Sequence, residues 1–261
     1  MALYDKIGRN YADLRRPDRR IAAVIDVALG DAASVVNVGA GAGSYEPAGR
    51  TVLAVEPSAV MIRQRPAGAA ACLCGSAESL PVETACVDAA MAVLTLHHWT
   101  DAARGLAEMV RVARKRVVLL TWVPDAEPYW LTQDYFPEIA ETDRRLFPTT
   151  PGLKAMLERL IGPVEVQPVP VPHDCTDGFL CAYWRRPESY LNAEVRSAIS
   201  SFAKLDAEPG VAKLRRDLES GHWAERNRRL LQLDTLDVGY RIVRCEIRDT
   251  NKVRRGELGV R

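Results

Sequence analysis

Val35-Val36-Asn37-Val38-Gly39-Ala40-Gly41-Ala42-Gly43, with Val52-Leu53-Ala54-Val55-Glu56 after it, decides the reading of this 261-residue chain. Val35 to Val38 is a short β-branched run, the pattern of a strand buried in a parallel sheet. Three glycines on alternate positions follow at once. Backbone without Cβ turns tightly there and lets a ligand lie against bare peptide. The second apolar run ends in Glu56, seventeen residues past Gly39. At the tip of the second strand of a parallel sheet, an acid faces a ribose lying over the first glycine turn. Strand, glycine turn, strand and acid predict a nucleoside site.

The glycine spacing narrows the nucleoside. A dinucleotide fingerprint reads Gly-x-Gly-x-x-Gly and opens a long helix whose N-terminus holds a pyrophosphate. Here the glycines alternate, and Pro47 with Gly49 leaves room for little more than a turn of helix. That weak anion site argues against a diphosphate, and so against an NAD-dependent oxidoreductase. The pattern resembles the S-adenosylmethionine site of class I methyltransferases, where the acid at the second strand takes the ribose diol.

More of the chain is similar to that family. Ala71 to Cys74 reads as a short strand, and Gly75-Ser76-Ala77-Glu78-Ser79-Leu80-Pro81 resembles the segment that closes over adenine. Val87 to Leu94 reads as the fourth strand, followed by Thr95-Leu96-His97-His98-Trp99. Asp101 is placed to cap a helix on which Leu106, Met109, Val110 and Ala113 recur at helical spacing. Val117 to Trp122 is the fifth strand. Together these segments resemble the type-11, ubiquinone-methyltransferase-like branch. The resemblance implies a Rossmann-like α/β fold with a seven-stranded sheet, its last strand antiparallel, and a helical lid from insertions after strands 5 and 6. It implies S-adenosyl-L-methionine as cofactor and S-adenosyl-L-homocysteine as product. The cofactor residues it implies are Asn37, Gly39, Gly41, Gly43, Glu56, Pro57, Ser76, Ala77, Glu78 and Leu94. To these the leader Tyr4 to Arg15 adds Tyr11 and Arg15, which in the family fold over the methionine end; Arg16 is a rival for Arg15, and a solvated basic turn is the plain alternative.

Two departures from the family bear on affinity. Asn37 stands where relatives carry an acid toward the methionine amino group, and Ser76 replaces the acid that contacts adenine. A hydrogen bond to a charged group contributes about 1.5–3 kcal/mol against roughly 1 kcal/mol for a neutral one. The expected result is weaker cofactor binding at a working site.

Thirty-five basic and 34 acidic residues leave a net charge of +1, too little to draw in a polynucleotide or a membrane surface. No apolar run approaches the ~20 residues of a membrane span, and the first residues lack the apolar core of a signal peptide. Six cysteines lie mostly in apolar segments, and Cys72-x-Cys74 is one residue short of a metal pair, so reduced thiols and no metal are expected. These readings give a cytoplasmic enzyme, a monomer or homodimer, acting on a small molecule. The basic tail (Arg248, Lys252, Arg254, Arg255, Arg261) is the one feature that favours nucleic acid.

The chain divides into a leader and cofactor half (1–122), a first lid insertion (123–150), a core helix and strand 6 (151–172), a second, mainly helical lid insertion (173–237), and a last strand with tail (238–261). A first helix spans Arg19 to Leu29. Thr150 caps the next core helix with Pro151 at its first position, and Val164 to Val171 is an edge strand because of Pro168 and Pro170. Methyl transfer from a sulfonium needs mainly an oriented lone pair, with a base only for acceptors of high pKa. His97 or His98, leaving the fourth strand, is the candidate base; consecutive residues diverge, so at most one should face the site. In His173 to Arg186, Asp177 and Tyr183 are candidates to orient the acceptor, or else pin the lid. Trp130 and Tyr135 are candidate walls. Two other readings stay open: a protein that binds the cofactor without transferring methyl, and a nucleic-acid methyltransferase.

Overall fold

Ser34–Val38 forms β1, and four of its five residues are buried, as a run covered on both faces must be. The computed structural model describes residues 14–203 and 205–247; Tyr11, most of the leader motif and the basic tail lie outside them. The core elements are α1 (Arg19–Leu29), β1, β2 (Thr51–Glu56), α2 (Ala59–Arg63), β3 (Ala71–Cys74), β4 (Val87–Val93), α3 (Ala102–Val112) and β5 (Ala113–Trp122). Next come α4 (Trp130–Asp134), α5 (Pro137–Leu146), α6 (Thr150–Leu160), β6 (Val164–Pro168) and β7 (Val171–Pro172). The chain closes with α7 (Ala193–Ser197), α8 (Glu208–Glu219), α9 (His222–Arg226), β8 (Thr235–Leu236) and β9 (Tyr240–Glu246).

Seven strands form one sheet in the order β3-β2-β1-β4-β5-β9-β6. β1 to β5 pair in parallel, and β9 runs antiparallel between β5 and β6. The strand order reverses between β1 and β4, the place where open α/β sheets bind ligands. Val38 pairs with Val55, so the glycine turn and Glu56 leave the sheet side by side at this switch point.

Two apolar layers cover the sheet. One packs Leu106, Met109, Leu153 and Leu157 of α3 and α6 beneath it. The other packs Ile21 and Ile25 of α1 with Trp130, Trp184 and Tyr190 of the insertions. β4, at the centre, is lined with Ala89, Ala90 and Ala92, which let both layers approach closely. Truncating Leu106 or Leu153, neither of them exposed, costs about 2–5 kcal/mol.

Local chemistry sets the ends. Asp18 and Asp101 cap α1 and α3 by accepting from the Arg20 and Arg104 backbone N–H. Several boundaries differ from the sequence reading. β5 starts at Ala113, directly from α3, because pairing of Val87 with Ala113 claims that residue for the sheet. Thr149, not Thr150, caps α6, accepting from Gly152 N, while Thr150 donates from N and Oγ to Asp125. The edge strand ends at Pro168, and Val171–Pro172 crosses to a second two-stranded sheet with β8. The second insertion is less helical than expected, being broken into short helices and turns around one longer helix, α8.

Candidate active site

The turn after β1 carries no helix; residues 41–45 are a chain of turns. Gly39, Gly41 and Gly43 all have positive φ (69°, 54° and 95°). At Gly39 a Cβ would also run into the side chain of Thr95. The Gly39 and Ala40 N–H groups donate to Val55 O at 2.8 and 3.1 Å, which ties the loop to β2. Glu56, almost fully buried, accepts from Gly41 N (2.9 Å) and Ser58 N (2.8 Å). Its carboxylate lines the cleft at the tip of β2, the place where an acid meets a ribose diol.

A cleft of about 1650 Å³ opens here, and Asn37, Gly39, Gly41, Glu56, Pro57, Ser76, Ala77, Glu78, Leu94 and Arg15 all line it. Gly43 does not: it faces the ion pair of Arg65 and Glu46 (2.6 Å) behind the loop. Glu78 turns its carboxylate to the Thr100 and Asp101 N–H groups. The most telling side chain is Asn37. It is 1% exposed, and neither its Oδ1 nor its Nδ2 has a hydrogen-bond partner. A buried amide left unpaired costs about 1–3 kcal/mol, which a ligand amino group or bridging water would recover. The cleft thus offers a diol acceptor, bare glycine backbone and an unsatisfied amide, a set that fits S-adenosylmethionine. Met61, Thr95 and Trp99 also line it. No motif or charge in the sequence marks them as part of the site.

Beyond Leu94 lies a second cavity of about 530 Å³. Leu94 has φ +52°, turning the chain off β4 so that its side chain stands between cleft and cavity; it and Arg15 line both. The walls include Trp122, Phe147, Phe179 and Tyr240, with Asp143 and His97. Trp130 and Tyr135 are not among them; they pack in the insertion, ring centroids 5.8 Å apart.

The two histidines sit on a short 3-10 turn, ring centroids 3.8 Å apart. Their rings stay in contact, against the expected divergence, and each meets a hollow. His98 borders the cofactor cleft and His97 the acceptor cavity, where Phe147 stacks on it at 4.5 Å. Burial pushes the pKa of His97 well below 6.5, with help from His98 and Arg15, and that of His98 down to about 4. Both are neutral at pH 7, and His97 Nδ1 is buried without a partner.

Asp177 and Tyr183 stand behind the wall. Asp177, 1% exposed, accepts from Arg15 Nε (2.6 Å), Tyr45 Oη (2.9 Å) and Gly178 N (2.7 Å). Asp18 meanwhile accepts from Thr176 N, and Arg20 joins Asp18 to Asp174. This network pins the second insertion to the glycine loop and holds Arg15 over the cleft. Tyr183 packs edge-on to Tyr190 (5.6 Å) beneath the Arg186 guanidinium (4.9 Å) and does not line the cavity.

Comparison with known proteins agrees with the fold. Residues 36–121 match the family model described as a methyltransferase domain. The chain is similar to a protein of Anabaena variabilis assigned as a methyltransferase of an antibiotic biosynthesis pathway. The two are 36% identical, superpose with a TM-score of 0.82, and the match covers 89% of this chain and 98% of the other. The chain belongs to the class I S-adenosylmethionine-dependent methyltransferases, in the type-11 family. A methyltransferase of Thermotoga maritima shares the fold at 16% identity and TM-score 0.55, over 94% of this chain and 96% of its own. The [4+2]-cyclase SpnF does so at 13% identity and TM-score 0.56, over 94% and 96%. Comparison with curated proteins finds no match. No helix among the described residues is long and apolar enough to cross a membrane.

Proposed function

We propose that this chain transfers a methyl group from S-adenosylmethionine to a small molecule held in the cavity beyond Leu94. The observation that carries the reading is the shared wall: Arg15 and Leu94 line both hollows, so a cofactor in one meets an acceptor in the other. The chemistry that S-adenosylmethionine supplies when bound is a sulfonium methyl open to in-line displacement.

The protein's part is placement. Glu56 and the glycine turn hold the nucleoside, Asn37 receives the methionine end, and Leu94 with the aromatic wall aligns the acceptor. Orientation of this kind is worth ~7–11 kcal/mol when reacting atoms sit about 3 Å apart. His97 accepts a hydrogen bond from the acceptor at its imidazole nitrogen. A buried imidazole resists gaining charge, so His97 orients more than it abstracts. Asp177 acts through Arg15, as a positioning residue.

An acceptor of small size follows from the aromatic enclosure and the net charge of +1, which gives a polynucleotide little to bind. A cyclase shares this fold, so fold alone does not fix the reaction, and a cofactor-binding protein without transfer is the second reading. Calorimetric titration with S-adenosylhomocysteine and methyl transfer from labelled cofactor across amine, hydroxyl and thiol acceptors test both. Failure of the wild type to bind either cofactor form overturns the proposal; binding without transfer to any acceptor favours the second reading.

A further inference from the structure

Asp143 is the only carboxylate among the described residues that line the acceptor cavity. It is 5% exposed, and its carboxyl has no hydrogen bond or ion pair with the protein. Rings and aliphatic chains surround it, and desolvation raises its pKa to about 7. Burying a carboxylate without a partner is costly. The fold does not supply the missing cation, because Arg15, the one guanidinium on this wall, is engaged by Asp177 at 2.6 Å.

Shared residues put the hollows in order. The acceptor cavity meets the cofactor cleft at Arg15 and Leu94. It meets a third hollow of about 780 Å³ at His97, Asp143, Ser200 and Ser201, and that hollow also borders the cleft at His98. Asp143 does not line the cofactor cleft. It therefore stands on a part of the cavity wall that the cleft does not share. The other titratable groups around the third hollow are His97 and His98, both kept neutral by burial, and Glu138.

We infer that the acceptor carries a protonated amine that pairs with the Asp143 carboxylate, behind a flat apolar body whose methyl-receiving atom lies at the opposite end, beside Leu94. The inference rests on reading this cavity as the acceptor site. The amine is an anchor: while protonated it has no lone pair with which to displace a methyl group. Trp122, Phe147, Phe179 and Tyr240 line the cavity and suit a flat apolar body.

The test uses the full chain with S-adenosylhomocysteine present and two matched probes, 2-phenylethylamine and 2-phenylethanol. Binding is followed by calorimetry and by tryptophan fluorescence, since Trp122 is in the wall. The amine should bind roughly tenfold or more tightly than the alcohol, as a charge-assisted contact implies. Asp143→Asn should erase that preference and leave S-adenosylhomocysteine affinity at the wild-type value. Equal binding of the two probes, no amine binding at millimolar concentration, or a preference that survives Asp143→Asn overturns the inference. If Asp143→Asn fails to fold, Asp143→Glu keeps the charge and should keep the preference; its loss there overturns the inference as well. The S-adenosylhomocysteine titration is scored separately: a wild type that does not bind it defeats the transferase reading, whereas the amine preference is read from the probes alone.

Discussion

The cofactor cleft and the acceptor cavity share a wall, yet they are built from different materials. The cleft draws its lining from the segment between Asn37 and Thr100, with Arg15 the one contributor from elsewhere. It is made of the glycine turn, the ends of neighbouring strands and two acidic residues, Glu56 and Glu78. The cavity draws on residues as far apart as Arg15 and Tyr240, with Trp122, Phe147, Phe179 and Ile199 between. The two insertions deliver seven of its twelve lining residues, and strand ends, the leader and the turn after β4 deliver the rest. A site made of sheet register can be read locally, whereas a site made of meeting insertions exists only after folding. The variants below ask whether the two are separable.

Glu56→Ala should have the largest effect. It removes the diol acceptor and leaves the Gly41 and Ser58 N–H groups without their partner, each loss worth about 1–3 kcal/mol. Titration should show S-adenosylhomocysteine affinity reduced by roughly a hundredfold. Binding of 2-phenylethylamine should change little, because the sites are built separately. A parallel loss of both would mean that the cavity is shaped only when the cleft is intact.

Asp177→Asn attacks the seam. Arg15 lines both hollows and is held by Asp177. Here cofactor and probe affinities should fall together, each by about tenfold. The buried network also joins the insertion to the glycine loop, so stability should drop by about 1–3 kcal/mol, seen as a melting point lower by several degrees. Loss of stability with both affinities intact would make Asp177 a pin for the insertion and nothing more.

Asn37→Asp sharpens the cleft. The unpartnered amide offers the methionine amino group a neutral acceptor, and a carboxylate offers a charged one. Cofactor affinity should rise by about threefold to tenfold at neutral pH. An unchanged affinity would show that the amino group is held elsewhere.

The same contrast explains what the sequence disclosed. The first five strands in chain order, the glycine turn and Glu56 follow from β-branched runs and glycine spacing, all local signals, whereas the antiparallel last strand is what the family resemblance implies. Boundaries were missed where tertiary pairing decided them, as at Ala113, or where two threonines competed for one cap, as at Thr149 and Thr150. His97 was legible from its place after β4. Asp143 was not: in the sequence it looks like any other polar residue of a helix, and its burial comes from segments far away in the chain, the Ser200–Phe202 turn among them. Asp177 and Tyr183 drew notice because polar and aromatic residues cluster there, but the cluster's partners, Arg15 and Tyr190, lie on other segments.

Asp143 also gives an effect of another kind, a pH signature in stability. Its carboxyl is near 3.8 in the unfolded chain and is raised to about 7 by burial in the folded one. Between those values the native state holds more protons than the unfolded state, so this group makes stability fall as pH rises through the window. The penalty is absent below about pH 4 and fully present above about pH 7. The buried histidines act in the opposite sense. Their depressed pKa values make the unfolded state the better proton binder below 6.5, so stability falls as pH drops. The histidines are common to wild type and variant, so comparison of the two isolates the carboxyl. Asp143→Asn, which cannot ionise, should be more stable than wild type by up to about 4 kcal/mol at pH 8, roughly ten degrees in melting point, with the advantage gone near pH 4. An advantage independent of pH would mean that the substitution improves packing and relieves no buried charge. An amine ligand should narrow the gap at pH 8 by stabilising the wild type alone, which joins this stability measurement to the chemistry of the cavity.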